Sequence, residues 1–304
     1  MTLRRMLICG IVCGAAYVLS GPVGAATLLL DYDASVGVNA TAGSVSSWED
    51  QVGGAGVRDA TPVGGTVAPV LEANVFAGGQ PGIKFDGGDS VLAFSDAGLP
   101  IDGNSYTLVA AWKAETFGQS GGGFSRPTLA GYGPGGVNHQ DGAHLAIRPD
   151  ANTAPDNAVA IHRTNGGDQN FGGVPPSETG TFPVVSGTPY VQIVSKISDS
   201  ELTGTLITAD GTLTGTDTGL NPSDSQVRLG SGYMGNMLAP GPGDFNESRF
   251  TGWIGRLQIY EGALDAGELS AVVAQMSSYA VPEPTGIILL LFGLFGLTLR
   301  RRWA

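Results

Sequence analysis

The groups able to do acid–base or metal chemistry in this 304-residue chain are 27 carboxylates and three histidines; both cysteines, Cys9 and Cys13, stand near the start. A pair of carboxyl groups about 5–5.5 Å apart is what retaining hydrolysis of a sugar bond requires. On a strand that means alternate positions, where side chains share a face. Asp31 and Asp33 have that spacing but no glutamate partner. Glu49 and Asp50 are adjacent and would point to opposite faces, and Asp244 and Glu247 do not alternate. Each acid therefore reads as a solvated turn residue, and no catalytic residue is assigned. His139, His144 and His162 fall within 24 residues. Their spacing suits neither a helix face nor alternate strand positions, so a zinc site would require converging loops.

Calcium is the more reasonable cofactor, since it takes six to eight oxygens from loop Asp, Asn and carbonyl groups. Gly243-Asp244-Phe245-Asn246-Glu247 offers three oxygen side chains, making Asp244, Asn246 and Glu247 the metal candidates. Gly53 to Asp59 resembles one displaced calcium-roll repeat; a plain turn is the reading preferred for both segments. Trp48, Trp112 and Trp253 are aromatic surfaces on which sugars can stack. Trp112 lies in an apolar strand, which leaves Trp48 and Trp253 as the ligand candidates, with burial as structural anchors the preferred reading.

These residues must be positioned by strands. Leu28–Tyr32, Gly82–Asp86, Ser90–Phe94, Ser105–Trp112, His144–Arg148, Ala158–Arg163, Tyr190–Ile197, Leu202–Thr208, Gln226–Gly230 and Trp253–Tyr260 are short runs with β patterning. Gly87-Gly88-Asp89 predicts a tight turn pairing the second run with the third. In Tyr190–Ile197 the pattern places Val191, Ile193 and Ile197 inward, with Gln192 and Lys196 outward. Only Asp265–Ser277 reads as a helix, with Asp265 and Glu268 spaced as a capping box. The expected fold is all-β, a two-sheet antiparallel jelly-roll sandwich with one short C-terminal helix and a separate hydrophobic helix at the end. Four long glycine-rich loops lie between residues 116 and 181.

The ends read differently. Residues 1–26 have a basic start, an apolar core from Met6 to Leu19, and small residues around Ala25 and Ala26 that fit signal peptidase cleavage. The mature chain then begins near Ala26 or Thr27 and contains no cysteine, so an exported domain lacks disulfide staples. At the other end, Val281-Pro282-Glu283-Pro284 precedes a 14-residue apolar run, Gly286–Leu299, and then Arg300, Arg301 and Arg302. The run is short for a permanent anchor, which takes about 20 apolar residues. The order of these three parts resembles the PEP-CTERM sorting signal of Gram-negative bacteria. That resemblance implies an inner-membrane precursor, an exosortase-type processing enzyme as partner, and delivery to the cell surface or biofilm matrix. Pro282 and Pro284 would keep the recognition segment extended.

Between the terminal arginine clusters stand 10 bases and 27 acids, a net charge of −17. Such a surface repels nucleic acid and suits cations or neutral ligands such as glycans. Within residues 27–280, LDYDA (30–34), VSSWEDQ (45–51), PGIKFDG (81–87) and WIGRLQIY (253–260) occur in the order seen in LamG-like domains of the concanavalin A-like lectin/glucanase superfamily. The resemblance implies a jelly roll whose first and last strands pair. Hydrolases of that superfamily carry E-x-D-x-x-E or E-x-D-x-E on one strand, and neither pattern occurs here. Three parts are thus expected: a signal peptide over 1–26, the jelly roll over 27–280, and the sorting signal over 281–304. The function expected is non-catalytic binding of an extracellular polysaccharide or another matrix component. The alternative is an extracellular glycoside hydrolase with an unrecognised carboxylate pair.

Overall fold

A computed structural model describes residues 25–53, 58–63, 67–88, 90–95, 105–117, 128–133, 143–149, 157–164, 167–169, 183–198, 201–217, 231–235 and 249–281. The chain opens with β1 (Thr27–Asp33), a hairpin of β2 (Val38–Thr41) and β3 (Ser44–Trp48), and the short β4 (Thr61–Pro62) and β5 (Val70–Glu72). Then come β6 (Gly82–Asp86), β7 (Leu92–Ser95), β8 (Tyr106–Thr116), β9 (Thr128–Gly133), β10 (Ala143–Pro149), β11 (Asn157–Thr164) and β12 (Gly167–Gln169). The series ends with β13 (Pro183–Val185), β14 (Pro189–Ser198), β15 (Glu201–Thr208), β16 (Gly211–Asp217), β17 (Ser231–Met234), β18 (Thr251–Glu261) and the helix α1 (Ala266–Ala280).

The strands form two antiparallel sheets. The larger runs β16-β15-β14-β8-β18-β6-β5-β3-β2, and the smaller β12-β11-β10-β9-β17-β7-β4. β18 borders β8 along one edge; along the other it pairs with β6 over Thr251–Ile254 and with β1 over Arg256–Glu261. First and last strands therefore pair, and the fold is the all-β sandwich expected. Among the described residues no helix is long and apolar enough to cross a membrane. The tail helix expected over 286–299 and the strand expected at Gln226–Gly230 lie outside those residues.

Alternation builds two apolar layers. Leu30, Tyr32, Trp48, Phe85, Leu108, Trp112, Leu145, Ile147 and Ile254 fill the space between the sheets. Val109, Ala111, Val191 and Ile193 leave the opposite face of the larger sheet and meet Val272, Met276 and Tyr279 of α1. The helix is held at its start by the expected capping box: Asp265 accepts from the Gly267 and Glu268 amides, and Glu268 accepts from the Asp265 amide.

Two expectations are corrected. β6 and β7 do not form a hairpin: β6 lies in the larger sheet and β7 in the smaller. Asp86 accepts from the Gly88 amide and from Ser90, turning the chain over the sandwich edge rather than back on itself. Although partial burial pushes the Asp86 carboxyl up, these donors hold it below its ordinary range. In β14, Val191 and Ile193 are buried as predicted, but Gln192 and Lys196 are buried as well and Ile197 is 42 % exposed. β14 lies between β8 and β15 with α1 over one face and the second sheet over the other, so both faces are interior.

Candidate functional site

The carboxylates are the first place to look for chemistry, and three of those described, Asp31, Asp33 and Asp50, lie against arginines. In β1 the inward position goes to Tyr32, leaving Asp31 and Asp33 on the face toward α1. β18 carries a bulge between Ile254 and Arg256 that shifts its alternation and delivers Arg256 to the same face. Arg256 donates Nε to Asp31 Oδ1 at 2.9 Å and Nη2 to Oδ2 at 2.6 Å, a bidentate pair, with Nη1 3.2 Å from Asp33. Tyr279 of α1 donates its hydroxyl to Asp33 at 3.1 Å, and the Gln275 amide, oxygen inward, accepts from the guanidinium at 2.8 Å. Burial lowers the guanidinium, but the hydrogen bond and charge of Asp31 outweigh it and raise it further above its ordinary range. Gly255 is required at the bulge, because a Cβ there would lie 2.6 Å from Phe76 and 2.7 Å from Tyr279.

Asp50 anchors a second cluster on the other side of β1. It accepts from the amides of Asp31 (3.0 Å), Val52 (3.0 Å) and Gly53 (2.9 Å), and Arg58 Nε lies 3.4 Å away. Arg58 donates to the Leu29 carbonyl, and the Tyr32 hydroxyl donates to the Arg58 carbonyl. Burial, with the Asp50 and Asp59 charges, pushes the Tyr32 hydroxyl well above its ordinary value. Asp31 and Asp50 are 7 % and 1 % exposed, so the reading of them as solvated turn residues is corrected. Both Asp31 oxygens face Arg256, and Asp50 faces main-chain amides, so both are engaged within the fold. The calcium-roll-like segment Gly53 to Asp59 itself carries a positive charge, Arg58.

The tryptophans separate cleanly. Trp48 is fully buried against Tyr32, with ring centres 5.6 Å apart, so it is corrected from ligand candidate to core residue. Trp112 is equally buried against Tyr190 and Phe250. Trp253 is half-buried on the outer face of the larger sheet, at the register position between Lys84 of β6 and Lys113 of β8. Lys84 Nζ stands 4.7 Å and Lys113 Nζ 5.4 Å from its ring centre. Its indole N–H donates to Glu72 at 2.8 Å, and Lys84 pairs with Glu115 at 3.0 Å. The whole sequence has three lysines, and the third, Lys196, is buried, so both accessible lysines flank this one ring. The sequence reading named Trp253 but missed its lysines, because their convergence follows from strand pairing.

The ladder of the smaller sheet pairs His144 with Arg163 and Leu145 with His162, so the two histidines occupy register positions of opposite parity. Continuing across, Gly131 pairs with both His144 and Tyr233, and Arg163 with Asp168. One transverse line of the smaller sheet therefore carries Tyr233, His144, Arg163 and Asp168, an alignment no sequence spacing reveals. Among the described residues no three His, Cys, Asp or Glu side chains cluster as a metal site. His139, the calcium candidates Asp244, Asn246 and Glu247, and the sorting residues Pro282, Glu283, Pro284 and Arg300 to Arg302 lie outside the described residues. The reading that the chain carries no G-x-S-x-G elbow is corrected by the sequence: Gly118-Gln119-Ser120-Gly121-Gly122 has that spacing, and it too lies outside the described residues. An open groove of about 380 Å³ beside α1 is lined by Ala26, Tyr260, Leu264, Glu268, Ala271, Val272 and Gln275. Its one carboxylate, Glu268, is engaged by the helix cap and by the Ala26 amide at 3.0 Å.

No family model and no curated protein matches the chain. Solved structures do. An α-L-arabinofuranosidase variant soaked with 4-nitrophenyl α-L-arabinofuranoside superposes with a TM-score of 0.53 at 10 % identity, over 78 % of this chain and 52 % of that one. Domain 4 of an extracellular arabinanase from Geobacillus stearothermophilus, in complex with arabinotriose, gives 0.42 at 15 % identity, over 82 % of this chain and 99 % of that domain. Trypanosoma rangeli sialidase gives 0.45 at 16 % identity, over 82 % of this chain and 33 % of its own. The chain thus spans one domain of the arabinanase, about half of the arabinofuranosidase and a third of the sialidase. The likeness is one of fold.

Proposed function

We propose that this protein is a non-catalytic binding module of the cell surface or extracellular matrix, exported by its signal peptide and sorted through its PEP-CTERM-type tail. The ligand is a polysaccharide or another matrix component. The observation that carries the reading is the half-buried Trp253 ring on the outer face of the larger sheet, with Lys84, Lys113, Glu72 and Glu115 around it. It offers an apolar plane for sugar C–H groups and charged donors and acceptors for hydroxyls. Supporting it, the buried carboxylates Asp31 and Asp50 are committed to arginines and amides. The solved structures with related folds include proteins captured with arabinotriose or an arabinofuranoside.

The test is affinity electrophoresis and calorimetry of the exported protein against a polysaccharide panel, with a reducing-end assay alongside. Trp253→Ala is expected to weaken binding at least about tenfold, as removal of an aromatic anchor does, with no reducing ends released. Unchanged binding in that variant, with loss on Arg163→Ala, would move the ligand to the smaller sheet and refute the Trp253 site. Released reducing ends that vanish on replacing a particular Asp or Glu would establish the hydrolase instead.

A further inference from the structure

The start of β1 is tied into the fold by a contact that a newly made N-terminus would strengthen. The Ala26 amide donates to Glu268 Oε1 at 3.0 Å, while Glu268 Oε2 accepts from the Asp265 amide at 2.9 Å and closes the capping box of α1. Ala26 itself is half-buried against the layer between the larger sheet and α1, whereas Ala25 is exposed. Gly262, with φ of +90°, brings the β18–α1 turn against Ala26; a Cβ on that glycine would sit 3.4 Å from the Ala26 Cα. The small-residue pattern allows cleavage after Ala25 or after Ala26. The fold distinguishes them: the first retains the partner of Glu268, and the second discards it.

We infer that signal peptidase cuts between Ala25 and Ala26, and that the α-ammonium so created forms a structural ion pair with Glu268. Hydrolysis adds water across the Ala25–Ala26 bond, leaving the carboxylate on Ala25 and the ammonium on Ala26. A main-chain donor thereby becomes a charged one, and one carboxylate clamps the first strand and the helix start together. The groups around the ammonium are Glu268, which holds it, Asp265 at the cap and Tyr260 in the adjoining groove, while Glu261 stands opposite Thr27, the next residue, in the β1–β18 ladder. The remaining lining residues carry no charge. An ordinary α-amine titrates at about 7.7–8.0. Pairing raises that value, so the clamp is complete below pH about 8 and fades as pH climbs through the raised value.

The inference rests on the export half of the proposed function, and the test separates the two. Protein recovered from the native host after export is sequenced from its N-terminus, then labelled at neutral pH with an amine-reactive ester, which reports the unprotonated α-amine. Glu268→Gln keeps the capping box, which accepts glutamine as well as glutamate, and removes only the charge. The expected results are a chain beginning at Ala26 and labelling about two- to fivefold faster in Glu268→Gln, the range for an ion pair of this exposure. Glu261→Gln should leave the rate unchanged. An exported chain beginning at Thr27 overturns the assignment while leaving export standing; a chain still beginning at Met1 overturns both. Equal labelling rates in wild type and Glu268→Gln, or equal acceleration by Glu261→Gln, refute the ion pair.

Discussion

Replacing Asp50 by alanine tests whether the buried acid beside β1 is a structural clamp rather than a site. The side chain has no exposed surface and accepts from three main-chain amides beside Arg58. Truncation leaves the Asp31 amide without its acceptor and Arg58 without its countercharge, inside a layer that water does not reach freely. Removing one partner of a buried pair costs about 3–5 kcal/mol, and about 4 kcal/mol is expected here. A stable domain has only about 5–15 kcal/mol in total. For a domain near 250 residues each kcal/mol moves the melting temperature by about 2–4 °C, so the fall should be about 8–16 °C. Asp50→Asn, which keeps one acceptor oxygen, should lose about half as much. Arg58→Met should fall between wild type and Asp50→Ala, because three amides still hold the carboxylate. The assay is thermal denaturation followed by far-ultraviolet circular dichroism, with urea melts to separate stability from a changed slope. A shift below about 2 °C in Asp50→Ala, or Arg58→Met worse than Asp50→Ala, would refute the argument that the amide contacts dominate.

Gly255→Ala should cost about 1–3 kcal/mol in urea melts, since its Cβ would press on Phe76 and Tyr279 at the Arg256 bulge. The tyrosines set an alkaline limit. Tyr32, Tyr106, Tyr260 and Tyr279 are buried, and burial is the first cause raising each hydroxyl, Tyr260 to about 12 and the others beyond. A raised folded value means stability is intact below the ordinary value of about 10 and is lost as pH rises toward the folded values. Tyrosinate absorbance should therefore rise in two stages, the buried group ionising together with loss of dichroism. A single stage near pH 10 in a protein that stays folded would contradict the burial. Asp265→Ala should cost about 1 kcal/mol, read as faster amide exchange in the first turn of α1.

Much of this architecture is legible in the chain because its signals are local. The alternation in Ser105–Trp112 places Tyr106, Leu108 and Trp112 in one layer and Val109 and Ala111 in the other, where they are found. Asp265 and Glu268 announce the helix start at the observed residue, since a capping box needs only four consecutive positions. The hairpin of β2 and β3 escaped notice because β2 is largely exposed and has no apolar alternation. β14 misled for the opposite reason: Gln192 and Lys196 look outward in any pattern, yet a strand covered on both faces has no outward side.

The candidate site was less legible than the fold. Trp48 and Trp253 are both candidates by residue type alone, but Trp48 is enclosed between the sheets and Trp253 is half-buried on the outer face of the larger one. Asp31, Asp50, Arg58 and Arg256 could be read only as separate charges until β1 was laid against β18. The sequence by itself determined the long apolar strands, where the helix begins and how the charge is distributed, because these depend on neighbours along the chain. The tertiary structure alone decided which carboxylates are spent on arginines, which tryptophan is only half-buried, and that two of three lysines flank it. Those outcomes depend on register between strands as far apart in the chain as Thr27 and Glu261, which no local pattern encodes.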